Sequence, residues 1–213
     1  MLTGVPVASA SYVLATNAAS PTLRVNAAGD AEMSWTSGGS RSTFVLGKSG
    51  SGYHGAIAGS DVSKRASSAI PMVVVVRRTP DGTLWALQQR TVIGRPTSLD
   101  LSRWRGAPTQ LTLATDGRRI SGSVTFHGKP VTGSTPTPGG RNVHTYVFLE
   151  CFGCRAQPKG WIAMLGVAPK ADGTFAVYLR PSWVGTRYRA IVAGPNVGGE
   201  LAPDAEAFAD APA

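Results

Sequence analysis

The chain contains only two cysteines, Cys151 and Cys154, which form the motif C-F-G-C at the end of a predicted strand. A thioredoxin-type redox site needs this motif at the N-terminus of a helix that lowers the thiol pKa, and no helical pattern follows here. A zinc site needs four ligands, and the three histidines do not stand at a standard spacing from the cysteines. We therefore expect a disulfide that closes a short turn, with no metal and no cofactor.

A second group of candidate residues combines tryptophan with arginine. Trp104 lies between Arg103 and Arg105 in the segment SRWRGAPT, and Trp161 lies near a predicted loop of the second half. An exposed tryptophan can stack on a sugar ring while guanidinium groups bind its hydroxyl or carboxylate groups. The same tryptophans could instead fill a core or an interdomain contact. The candidate ligand-binding residues are therefore Trp104, Arg103, Arg105 and Trp161.

Two patterns associated with catalysis are incomplete. Residues 47–49, Gly-Lys-Ser, match the end of a P-loop, but Ser42 stands where that motif needs its first glycine and no βαβ pattern surrounds it. The segment also misses the nucleophile elbow, because Ser51 replaces the final glycine. Eight acidic residues precede Glu200, and half of them occupy predicted turns. We assign no catalytic residue.

The chain is basic, with a formal net charge of +9. Residues 1–199 contain 21 basic and eight acidic side chains, a net charge of +13, and the last four acids follow from Glu200 onward. Such a charge can attract nucleic acid, acidic glycans or membrane surfaces. The arginines occur in scattered pairs, however, and strand alternation would send the members of a pair to opposite faces. Because neither a recognition helix nor an aromatic RNA-binding strand is visible, no nucleic-acid partner is expected.

The hydrophobic pattern is that of short strands, with helical periodicity almost absent. The 26 glycines and 15 prolines suit many tight turns. Residues 47–68, rich in Gly, Ser and Ala, predict a long surface loop. The strands predicted in the first half are a meander at 22–26, 31–36 and 41–46, a hairpin at 72–78 and 83–90 around the turn T-P-D-G, and strands at 98–101 and 110–113.

The length of 213 residues suits two domains of about 100 residues each. A turn at 116–119 marks a change of pattern, so we place an antiparallel β domain at 1–116 and a second domain with an acidic tail at 117–213. No apolar run approaches the roughly 18 residues of a membrane span. The N-terminus has no basic residue before Arg24, so we expect a mature start or a chain that has lost its leader.

The second half has a distinctive order of turn and core residues. The pattern is G-x-V-x-x-x-G-x-P-V-x-G, a V-x-L strand, D-G-x-F-x-x-x-L-x-P and a closing Y-x-x-x-V strand, carried by Gly122, Val124, Gly128, Pro130, Val131, Gly133, Val147, Leu149, Asp172, Gly173, Phe175, Leu179, Pro181, Tyr188 and Val192. This order resembles the carboxypeptidase regulatory-like, or transthyretin-like, sandwich domains. The resemblance implies a fold and no particular activity. Tyr188 stands where a sandwich can use a tyrosine corner.

Together these observations predict an all-β protein of two abutting antiparallel β-sandwich domains, Ig-like or prealbumin-like. The cysteine pair and the charged fraction of only 15% favour a secreted or cell-envelope location, and the frequent arginine and alanine suggest a bacterial, GC-rich source. We expect a non-catalytic module with a structural, adhesive or protein-interaction role, bound to a protein or a cell-wall glycan. A carbohydrate-binding module that uses the loop Trp and Arg residues is one alternative. A thiol- or metal-dependent enzyme is the other.

Overall fold

The computed structural model describes residues 12–136, 142–197 and 199–212, which form an all-β structure. Among these residues one 3₁₀ turn is present, at Pro181–Trp183, and no helix is long and apolar enough to cross a membrane. The strands are β1 (Tyr12–Thr16), β2 (Ala19–Val25), β3 (Ala31–Ser37), β4 (Ser40–Leu46), β5 (Gly52–His54), β6 (Lys64–Arg65), β7 (Val73–Arg78), β8 (Leu84–Arg90), β9 (Ser98–Trp104), β10 (Gln110–Thr115), β11 (Arg119–Phe126), β12 (Lys129–Pro130), β13 (Ser134–Pro136), β14 (Asn142–His144), β15 (Val147–Cys154), β16 (Gln157–Val167), β17 (Thr174–Tyr178), β18 (Arg187–Val192), β19 (Asn196–Val197), β20 (Glu200–Leu201) and β21 (Ala205–Asp210).

All strand pairs are antiparallel, and four sheets carry most of the structure. Sheet 1 has the order β2-β3-β4-β5, and sheet 2 has the order β19-β20-β9-β8-β7-β6 with β1 also paired to β9. In sheet 3, β11 pairs with β10, β12 and β17. Sheet 4 has the order β16-β15-β18-β21, and β13 and β14 form a separate short pair. Sheet 2 therefore joins strands from near the beginning of the chain to β19 and β20 near its end.

One hydrophobic core lies between sheets 1 and 2. Successive side chains of a strand point to opposite faces, so β3 buries Ala31, Met33 and Trp35, while Glu32 between them is only partly buried. The facing surface of sheet 2 supplies buried side chains from β8 and β9. The members of this core on those strands are Trp85, Leu87, Leu99 and Leu101.

A second core lies between sheets 3 and 4 and extends to the opposite face of sheet 2, which contributes Val76, Ala86 and Trp104. Tyr188 on β18 is fully buried there. Its hydroxyl accepts the Gly185 N–H at 3.1 Å and donates to the Trp183 carbonyl at 3.3 Å. These bonds tie β18 to the loop before it, in the manner of the tyrosine corner that the sequence predicts.

The meander and the hairpin predicted in the first half are present as β2–β4 and as β7–β8. Most of segment 47–68, predicted as a long surface loop, is exposed and lies outside strands, but the segment also adds the short strands β5 to the edge of sheet 1 and β6 to the edge of sheet 2. Segment 110–113 is a strand, but β10 pairs with β11 on the far side of the predicted domain boundary. The boundary itself stays a prediction.

Candidate functional site

A cleft of about 470 Å³ opens where sheets 1 and 2 meet four turns of the chain. We name it the Arg103 cleft. Its walls are formed by Asn26, Ala27, Ala28, Gly29, Lys48, Val62, Thr79, Pro80, Asp81, Thr83, Trp85, Arg103, Trp104, Arg105, Gly199 and Glu200. The volume lies within the range of roughly 300–1,000 Å³ that is usual for small-molecule sites. Two of the predicted ligand-binding residues, Arg103 and Arg105, contribute partly or fully exposed side chains to it.

Arg103 is half-buried at the end of β9, directly opposite Trp85 on β8. Its guanidinium lies 5.5 Å from the centre of the Trp85 ring, and it donates hydrogen bonds to the carbonyl oxygens of Lys48 at 3.0 Å and Gly199 at 2.9 Å. Burial lowers the pKa of Arg103, and the charge of Glu200 opposes that shift. No described carboxylate forms an ion pair with it. The cleft therefore contains a partly desolvated cation that is held by neutral acceptors.

Arg105 is anchored to the turn between β7 and β8. Its Nε donates to the Thr83 hydroxyl at 3.0 Å, and its guanidinium pairs with Asp81. Hydrogen bonds from the Thr79 hydroxyl and from the Thr83 backbone N–H hold the pKa of Asp81 well below its usual value, so this carboxylate is ionised. Because 52% of the Asp81 side chain stays exposed, the carboxylate remains a hydrogen-bond acceptor on the cleft wall.

Glu200 joins three parts of the chain beside the same cleft. Its Oε1 accepts the Arg105 backbone N–H at 2.8 Å, and its Oε2 lies 2.6 Å from Nε2 of His127. β20 carries Glu200 back to β9, where Leu201 pairs with Arg103. The negative charge of Glu200 is therefore engaged locally and does not neutralise Arg103 by direct contact.

Lys48 supplies a second cation at the rim. It lies in the turn between β4 and β5, is exposed, and forms no ion pair with a described residue. Its stem passes over Gly29, where a Cβ would lie 3.4 Å from Lys48 Cδ; Gly29 itself has a φ of +85°. The turn thus directs the Lys48 stem along the wall and leaves the ammonium group accessible to a ligand.

Trp104 does not present the exposed ring that the carbohydrate hypothesis requires of it. Its side chain is only 1% exposed and packs in the second core. The physical reason is strand alternation, which sends Trp104 to the face of sheet 2 opposite to its neighbours Arg103 and Arg105. Its indole Nε1 has no hydrogen-bond partner among the described residues. The arginine side chains of this segment therefore face the cleft, whereas the Trp104 ring packs in the second core.

Trp161 lies apart from the cleft, on the outer face of sheet 4. It is partly exposed, and its ring centre lies 5.4 Å from that of Phe152 and 6.2 Å from that of Phe208. Arg187 stacks over Phe208 at 4.8 Å. The structure thus separates Trp161 from Arg103 and Arg105 and gives it a small exposed aromatic cluster of its own.

Cys151 and Cys154 form a disulfide, and both are fully buried at the end of β15. The two sulfurs lie 3.4 and 3.5 Å from the Trp183 carbonyl oxygen, so the bridge packs under the loop that precedes β18. A buried disulfide presents no thiol to a substrate. Among the described residues, no group of three or more His, Cys, Asp or Glu side chains is placed to hold a metal ion.

The fold and the cleft define this chain as an all-β protein of antiparallel sheets with a surface cleft that carries three cationic and two acidic side chains. Comparison with protein-family models, with curated proteins and with solved structures finds no match. The geometry of the cleft therefore carries the functional argument alone.

The sequence did not identify three of the cleft residues as candidates for a binding site. Lys48 was interpreted only as part of an incomplete P-loop, Asp81 as a turn residue and Glu200 as part of the acidic tail. Asp81 had a usable local signal, since the turn T-P-D-G fixes the aspartate beside two threonines. Glu200 and Lys48 had none, because they reach Arg105 and Arg103 across 95 and 55 positions of the chain.

Proposed function

We propose that this chain is a non-catalytic adhesive module that binds an acidic sugar residue in the Arg103 cleft. The observation that carries the proposal is the Arg103 guanidinium, which is half-buried and lacks a carboxylate partner among the described residues. A partly desolvated guanidinium binds a carboxylate more strongly than an exposed one, because its charge is less screened and its planar donors match the two oxygens. Lys48 adds a second positive charge at the rim.

The other walls of the cleft suit a hydroxyl-rich ligand. Asp81 offers an exposed, ionised carboxylate, and the partly exposed Thr83 hydroxyl lies beside it. Sugar hydroxyls both donate and accept hydrogen bonds, so they can use acceptors and donors on one wall. A ligand with carboxylates but no hydroxyl groups would bring only negative charge beside the Asp81 carboxylate, whereas sugar hydroxyls can donate to it. This mixture favours a uronic acid over a simple carboxylate or an apolar ligand.

The proposal also includes the division of the chain into two domains. We infer two abutting β-sandwiches, one formed by sheets 1 and 2 and the other, of the carboxypeptidase regulatory-like kind, by sheets 3 and 4. The two cores support it, since one lies between sheets 1 and 2 and the other lies mainly between sheets 3 and 4, with a contribution from the opposite face of sheet 2. The buried disulfide supports a secreted or cell-envelope location, because such bonds persist in oxidising compartments.

Isothermal titration calorimetry with trigalacturonate, an acidic trisaccharide, and maltotriose, a neutral one, tests the function. The wild-type protein is expected to bind trigalacturonate and not maltotriose. Replacement of Arg103 by Met removes a charge-assisted contact and is expected to weaken binding about 10-fold or more. Arg103→Lys retains the charge without the planar donors and should fall between the two. Lys48→Met should cost about two- to five-fold, as for an exposed charge.

Two control variants locate the ligand. Arg118→Met removes an exposed arginine that lies outside the cleft and should leave the affinity unchanged. Trp161→Ala should also leave it unchanged, because Trp161 lies on the outer face of sheet 4. Equal binding of both trisaccharides, or full affinity in Arg103→Met, contradicts the proposal. Loss of binding in Trp161→Ala would place the ligand on the aromatic cluster instead.

A further inference from the structure

A second cleft lies next to the Arg103 cleft and shares part of its lining. It has a volume of about 550 Å³ and is lined by Val62, Lys64, Arg65, Ala66, Ser67, Arg78, Thr79 and Pro80. We name it the Lys64 cleft. The two clefts share Val62, Thr79 and Pro80, so they meet along the turn that also carries Asp81. A ligand longer than one sugar residue can therefore pass from one cleft into the other.

The Lys64 cleft concentrates positive charge at the edge of sheet 2. β6 is the edge strand, and its pairing with β7 sets Lys64 directly opposite Arg78 and Arg65 directly opposite Arg77. Like charges in direct cross-strand pairs destabilise a sheet. Strand alternation puts the Lys64–Arg78 pair and the Arg65–Arg77 pair on opposite faces of sheet 2, and Arg77 does not line the cleft but interacts electrostatically with Asp61. The three cations that line the cleft, Lys64, Arg65 and Arg78, form no ion pair with a described residue. An anionic ligand beside Lys64 and Arg78 would relieve the repulsion within that pair.

We propose that the two clefts form one continuous groove for a linear polysaccharide that carries carboxylate groups. The inference rests on the proposed function and extends it from one acidic sugar residue to a polymer. One carboxylate of the polysaccharide binds Arg103 and Lys48. The carboxylates of the following sugar residues bind the cations of the Lys64 cleft. Because β6 lies at a sheet edge, the groove is open at that end and the polymer can continue beyond it.

The lining of the groove favours an acidic polysaccharide over a nucleic acid. Proteins that bind single-stranded nucleic acid combine basic grooves with exposed aromatic side chains on which bases stack. The aromatic residues of the two clefts are Trp85 and Trp104, which are 2% and 1% exposed.

The test compares a polymer with a trimer on the full chain. Polygalacturonate and trigalacturonate are titrated against the wild type, against the double variant Lys64→Gln/Arg78→Gln, and against Arg118→Gln/Lys129→Gln, which removes two exposed cations outside both clefts and controls for net charge. Both replaced residues are exposed, so the variant is expected to fold. The double variant should lose about 10-fold or more of its affinity for polygalacturonate, and retain its affinity for trigalacturonate. Added salt should weaken polymer binding more than trimer binding.

Each other outcome overturns a stated part of the account. If the wild type binds trigalacturonate but the double variant binds polygalacturonate as tightly as the wild type does, the continuous groove is wrong and the proposed function stands. If neither saccharide binds, both fail together. If single-stranded DNA of matched charge binds more tightly than polygalacturonate and is lost in the same double variant, the groove is a nucleic-acid interface and the inference is overturned.

Discussion

Asp100 and Asp204 form a buried pair of carboxyl groups that share one cation. Both are fully buried, and Nε of Arg90 lies 2.9 Å from Asp100 Oδ2 and 3.1 Å from Asp204 Oδ2. Neutral groups that contact the pair include the Ser98 hydroxyl on Asp100 and the Gly194 N–H on Asp204. Burial, and then the negative charge of Asp204, raise the pKa of Asp100 to about 7, although Arg90 opposes the shift. The folded protein therefore holds a proton near neutral pH that the unfolded chain has released.

The consequence for stability has a definite sign. Because the pKa of Asp100 rises from 3.8 to about 7 on folding, its contribution is fully present below pH 3.8 and is lost as the pH rises through 7. The free energy of unfolding should fall by about 1.4 kcal/mol per pH unit within that window, with a total of about 4 kcal/mol as the upper bound. Asp100→Asn keeps the shape, and its amide can donate to Asp204 at every pH. The slope should therefore flatten in this variant.

Urea unfolding followed by tryptophan fluorescence from pH 4 to pH 8 measures this difference. The two proteins should be similarly stable near pH 4, and the wild type should become progressively less stable than Asp100→Asn as the pH rises toward 8. Asp116→Asn is the control, because Asp116 lies on an exposed turn and backbone N–H groups lower its pKa. Any effect of its titration on stability therefore falls below pH 4, outside the measured range. Parallel profiles for the wild type and Asp100→Asn would refute the reasoning.

Two further predictions concern the second core and are measured by the same urea unfolding. Tyr188→Phe removes the hydroxyl that bonds to Gly185 and Trp183, and should cost about 1–2 kcal/mol, whereas Tyr178→Phe, at a residue 78% exposed, should cost nothing; equal stability of the two would contradict the tyrosine corner. Gly122→Ala places a Cβ against the Thr112 carbonyl oxygen and 2.6 Å from Phe175 Cζ, and should cost about 1–3 kcal/mol. Gly166→Ala, whose nearest neighbour would lie 3.6 Å away, is its control, and an equal cost in both would contradict the packing argument.

Local features of the fold were predictable from the sequence. The turn T-P-D-G combines a proline, an aspartate and a glycine in the order that a tight turn needs, and the structure gives Gly82 a φ of +84° there. The glycine of the G-x-V pattern has a packing reason, since Gly122 lies between Leu113 and Phe175 in sheet 3. Short-range signals of this kind fix turns and strand faces.

The cleft was not predictable in the same way. Its parts come together through pairings between distant strands, such as β20 with β9, and no short pattern encodes those pairings. The burial of Trp104 did have a local signal, because the alternation of β9 separates it from Arg103 and Arg105. The flanking arginines suggested a ligand site at the Trp104 ring. Strand alternation, however, directs only the arginine side chains toward the cleft.

The most direct test of the acidic-sugar site is a crystal structure of the chain with trigalacturonate. We expect a sugar carboxylate within about 3 Å of the Arg103 guanidinium and sugar hydroxyls that donate to Asp81. A trisaccharide bound on the Phe152, Trp161 and Phe208 cluster, with the Arg103 cleft unchanged, would contradict it.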